Sequence, residues 1–175
     1  MGFQEGFKKS DVVTKVCFYF VLAASFCNWI AFCTTSWIIR PDSHVGLWRS
    51  CGGYGSIEGC RPLDGAPSHV FAGTQALGII GFMGMNIGFL LLLLFMFSSK
   101  YSGSSETKKL AGFCLILSAL SWTLTIVVFI CYFKVEYSHV SLGFSFGLAF
   151  CALILGFCAG IMVLFAGRGG AVNPT

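Results

Sequence analysis

VFAGTQALGIIGFMGMNIGFLLLLLFMFSS, residues 70–99, contains no Asp, Glu, Lys, Arg or His. A helix rises about 1.5 Å per residue, so roughly 20 apolar residues cross the ~30 Å hydrocarbon layer of a bilayer. This stretch spans with length left over for tilt or for helix beyond the membrane. Residues 16–39, 110–133 and 140–167 are equally free of ionisable side chains of those five types. Charge therefore divides the chain into four spans, with no room for a fifth. The expected helices cover 12–37, 70–98, 108–133 and 140–167, within one membrane domain over residues 1–175. Extracellular loops are expected at 38–69 and 134–139, the second so short that helices three and four must be adjacent and antiparallel.

Composition excludes the soluble classes. Charged residues are 10% of the 175 and hydrophobic residues 56%, with a mean hydropathy of +0.82. A typical globular chain carries about 25% charged residues, and a small soluble domain needs a polar skin that this sequence cannot supply. The net charge of +4 is too small for a nucleic-acid footprint, so no nucleic-acid partner is expected. The first apolar run exceeds the roughly 7–15-residue core of a signal peptide and is expected to be retained as a helix. There is no Asn-x-Ser/Thr acceptor for N-glycosylation, because Asn173 precedes Pro174.

Orientation follows from the basic residues and the thiols. With both termini cytosolic, the inner segments carry Lys8, Lys9, Lys15, Lys100, Lys108, Lys109 and Arg168, and the outer ones Arg40, Arg49, Arg61 and Lys134. The excess lies inside, as the positive-inside rule requires. Cys51 and Cys60 then fall outside, where disulfides persist.

The first outer loop carries the most information. Trp37 stands where helix one is expected to leave the bilayer, a favoured depth for an indole. Ile38-Ile39 and His44 to Trp48 can extend, and Pro41-Asp42-Ser43 is a turn signal. Cys51 and Cys60, with glycines between them, suit a disulfide-closed hairpin. Arg40, Arg49 and Arg61 balance Asp42, Glu58 and Asp64, whereas a charge-selecting pore would want an excess of one sign.

The set Trp37, Gly46-Leu47-Trp48, Cys51 and Cys60 resembles the signature of the claudin, peripheral myelin protein and epithelial membrane protein superfamily. The short step from Trp37 to Trp48, and Ser141-Leu142-Gly143-Phe144 before helix four, look more like the peripheral myelin and epithelial membrane protein branch. The resemblance implies an all-α membrane protein. Its fold would be a left-handed four-helix bundle with a small, disulfide-closed antiparallel β-sheet in the first extracellular loop. On that reading Trp48 anchors the sheet to the rim of the bundle.

Three further residue classes are candidates for association or modification. Gly84/Gly88, Gly143/Gly147 and Gly156/Gly160 are small-residue pairs four apart, which let helices approach closely, within the bundle or against a neighbour. Asn28 and Asn86 lie inside apolar spans and are expected to bond neighbouring helices. Cys17 and Cys114 are candidate palmitoylation sites near the cytosolic face.

Catalysis has little to work with. The spans hold no acid, base or His, no Cys-x-x-Cys is present, and His44, His69 and His139 lack metal-ligand spacing. The expectation is a non-enzyme without cofactor, metal or small-molecule substrate. Two functions fit. One is a structural tetraspan of the plasma membrane and its cell junctions, associating laterally with itself and other integral membrane proteins. The other is an auxiliary, gamma-like subunit that packs against an ion channel and modulates its gating or trafficking.

Overall fold

The computed structural model describes residues 6–8, 10–52, 59–63, 68–136 (side chains only to 132) and 141–165. Four helices, each long and apolar enough to cross a membrane, form a bundle: α1 Val12–Cys33, α2 His69–Phe97, α3 Ser105–Glu136 and α4 Phe144–Phe165. Each packs on two neighbours, in the cyclic order α1–α2–α3–α4, with α2 against α3 the closest pair and α1 against α2 the loosest.

Three helices have limits that differ from the expected ranges by more than one residue. Helix α1 stops at Cys33 rather than Trp37, because Thr34 turns extended and its hydroxyl bonds the Ile30 carbonyl at 2.6 Å. Helix α3 begins at Ser105 and continues to Glu136, beyond the expected 108–133 at both ends. The Ser104 hydroxyl accepts from the Thr107 N–H at 3.3 Å, and Lys109 pairs with Glu106 at 3.0 Å on the exposed first turn. Helix α4 begins at Phe144, because Ser141-Leu142 is a strand, not helix. Its expected end at 167 lies outside the described residues, as do residues 137–140 of the second loop.

At one end of the bundle lies a five-stranded antiparallel sheet, with β1 Ile38–Arg40, β2 Ser43–Val45, β3 Arg49–Gly52, β4 Cys60–Pro62 and β5 Ser141–Leu142. The strand order is β4-β3-β2-β1-β5. Ile38 pairs with Val45 on one side and Leu142 on the other. Strand alternation sends Ile38 and Val45 toward the bundle, where they are buried, and leaves Ile39 exposed.

The buried side chains form two groups stacked along the bundle. One, away from the sheet, contains Phe18, Val21, Met85, Leu92 and Leu115. The other, beneath the sheet, contains Trp37, Ile38, Leu47, Trp122 and Phe129. Asn28 lies on α1 between Ala24 of the first group and Ala31 of the second.

Candidate functional site

The sheet is keyed into the helix ends rather than resting on them. Trp37 is fully buried, stacks on Trp122 at 5.9 Å, packs at a tilt on Phe129 at 4.9 Å, and donates its indole N–H to the Ala31 carbonyl at 2.8 Å. That corrects the expectation of a lipid-interface indole at the end of a helix. Once α1 stops at Cys33 the chain folds back over its own end, and the indole fills the space between α1, α3 and the sheet.

Gly46-Leu47-Trp48 forms the next attachment. Gly46 packs so closely on the end of α1 that an added Cβ would lie 2.6 Å from the Thr34 carbonyl oxygen, so only glycine fits. Leu47 is fully buried, and its carbonyl accepts from the Gln75 side chain at 2.7 Å. Gln75 escaped the sequence reading because an uncharged polar residue does not interrupt a charge-free run. Trp48 is half-buried, packs on Phe32 at 5.0 Å, and has a buried indole N–H without an acceptor among the described residues. The anchoring expected of Trp48 alone is thus shared, and Trp37 and Leu47 are the more deeply buried.

Cys51 and Cys60 face each other across β3 and β4 and form a disulfide. The Gly52 N–H to Gly59 carbonyl bond, 3.1 Å, and the Leu63 N–H to Trp48 carbonyl bond, 2.8 Å, bracket it. A third attachment, invisible in the sequence, comes from the second loop. β5 extends the sheet, the Gly143 N–H donates to the Trp37 carbonyl at 2.9 Å, and the Ser145 N–H to the Ser36 carbonyl at 3.1 Å. The Thr34 and Ser145 hydroxyls meet at 2.7 Å.

Within the spans, the two asparagines join helices. Asn28 Oδ1 accepts from Trp122 Nε1 at 2.9 Å in the core, and Asn86 Oδ1 accepts from Trp29 Nε1 at 3.0 Å on the outer surface. The candidate glycines mostly serve internal packing. Gly84 packs on Ser118 and Gly88 on Leu115, both across the α2–α3 contact. Gly160 faces Gly112 of α3, where a Cβ on either would lie 3.1 Å from the other's carbonyl oxygen, and Gly156 abuts Met85. Gly143 is not on α4 at all; its Cβ would overlap the Ser36 carbonyl. Gly147 alone among the candidates faces open space, and it is followed four residues later by the exposed Cys151.

Cys17 is corrected as a palmitoylation candidate, since it is fully buried in the bundle core and an acyltransferase could not reach it. Cys114 is half-buried and stays accessible. Among the described residues no three His, Cys, Asp or Glu side chains converge as metal ligands would.

Beside the sheet, the end of α1 and the middle of α2 border an open groove of about 680 Å³. Its floor includes Phe32, Trp48 and Ile79, and its rim His44 and Arg49. Compared with protein-family models and with curated proteins, the chain matches none of them.

Proposed function

We propose that this chain is a structural, claudin-like tetraspan of the plasma membrane, with both termini cytosolic and the sheet outside, serving cell contacts and membrane organisation. The locked sheet is the observation that carries this reading. Every residue that resembles the superfamily signature takes part in docking or closing it: Trp37, Gly46, Leu47 and Trp48 against the helix ends, Cys51 and Cys60 across the strands. The far side of the sheet is left for contact, and it exposes Ile39 of β1 beside Ser141 of β5. A sheet held rigid by side chains beneath it binds a partner without the entropy cost of ordering a loop.

No catalytic chemistry is assigned. Of the buried polar residues, Asn28 accepts from Trp122 and Thr125 donates to the Ser121 carbonyl, both within the bundle. Lateral association uses the lipid-facing helix surfaces, with Gly147 and Cys151 as the open small-residue facet. Affinity purification in mild detergent tests the reading. Recovery of the chain itself together with adhesion components is expected. Recovery of one stoichiometric channel would overturn it in favour of an auxiliary channel subunit.

A further inference from the structure

The groove beside the sheet has a depth, a charge and a floor that point to one kind of occupant. Helix α1, with 22 residues, is about 33 Å long, close to the hydrocarbon thickness of about 30 Å. Phe32 and Cys33, at its end, therefore lie at the boundary between hydrocarbon and headgroups. Helix α2 is longer, 29 residues, and its first turns rise beside the sheet. Ile79 stands about 15 Å from its start, at the same boundary.

Below that level lies the seam between α1 and α2, the loosest contact in the bundle. An aromatic wall lines the seam: Phe32 stacks on Phe82 at 4.2 Å, and Trp29 meets Phe82 edge-on at 4.7 Å. Above it, His44 and Arg49 form the rim; among the described residues no acidic side chain lines the groove and Arg49 makes no ion pair. A cation at headgroup depth beside the apolar side chains of Phe32, Trp48 and Ile79 complements a phosphodiester carrying an acyl chain. A free phosphate would leave those apolar side chains unused.

We infer that this groove binds one glycerophospholipid from the leaflet on the sheet side, its phosphate held by Arg49 and His44 and one acyl chain lying along Phe32 and Ile79. The inference needs only the groove and the membrane, and stands whichever function the sheet serves.

The test is native mass spectrometry of the full chain released from detergent micelles doped with dioleoylphosphatidylcholine or with dioleoylglycerol, which has the same chains and no phosphate. Saturable retention of one phosphatidylcholine is expected, with dioleoylglycerol retained about tenfold less, as for loss of a charged hydrogen bond. R49E, or I79W, which fills the groove, should weaken retention by a similar factor. R61E, on the neighbouring strand outside the groove, should leave it unchanged. Both Arg49 and Ile79 are exposed, and an intact thermal transition confirms that each variant folds. Equal retention of the two lipids by the unaltered chain, retention that never saturates, or folded R49E and I79W that bind like the parent would each overturn the site.

Discussion

Trp37 and Trp48 flank the same pair of strands yet differ in surroundings, and the difference sets what each contributes. Trp37 is enclosed by Trp122, Phe129 and Phe146, so truncation leaves a cavity under the sheet. Trp37→Ala is expected to cost about 3–5 kcal/mol. Trp48→Ala should cost about half as much, because Trp48 is only half-buried; denaturant or thermal unfolding in detergent measures both. A similar Trp48 loss would show its ring to be as enclosed as that of Trp37. At mid-bundle, Asn28→Leu leaves the buried Trp122 N–H without its acceptor, for an expected loss of about 1–3 kcal/mol. Adding Trp122→Phe should cost less in that variant than in the parent, since the donor then has no partner to lose, and a double-mutant cycle reads this coupling. The positions of both tryptophans after the first span were legible in the sequence. Which one fills the core was not, because hydropathy registers transfer out of water equally into lipid or into protein.

The helices show the same division between what spacing reveals and what it conceals. Four charge-free runs located four helices, since a charge in hydrocarbon is costly. They misplaced some ends, because a charge marks where the hydrocarbon stops and not where the helix does: Glu106 and Lys109 ride on α3, whereas the uncharged Thr34 ends α1. Glycine spacing was visible, but the neighbour each glycine meets depends on helix order. Gly112 was overlooked because no second small residue on α3 stands four away with the same spacing, yet it is the counterpart of Gly160. Gly160→Leu is therefore expected to destabilise by about 3 kcal/mol or more, or to block folding, since backbone and not a flexible side chain stands in the way. Gly147→Leu should change stability by no more than about 0.5 kcal/mol, as for an open surface position. Thermal stability separates the two. Crosslinking in membranes then reads the open facet: Gly147→Leu should stay folded and crosslink less than the parent, and unchanged crosslinking would remove Gly147 from the lateral contact.

At the scale of the whole molecule, two segments distant in sequence, residues 36–39 and 141–145, complete one sheet. The hairpin closed by Cys51 and Cys60 could be read from the first loop alone, whereas β5 could not, because two residues carry no periodicity and their partner lies a hundred residues away. This architecture predicts a divided response to loss of the disulfide. Cys51→Ser should cost roughly 2–3 kcal/mol. Hydrogen exchange should quicken at 49–52 and 60–63, while the amides of 38–40 and 143–145 stay slow under Trp37 and the β5 pairing. Uniform quickening would mean that the bridge, and not the buried side chains, holds the sheet on the bundle. The central claim, that the locked sheet serves cell contacts, is tested most directly by imaging the tagged chain in mixed cultures of expressing and non-expressing cells. Enrichment at borders between two expressing cells, above borders with non-expressing neighbours, is the predicted result. An even distribution over all borders and free membrane would contradict it.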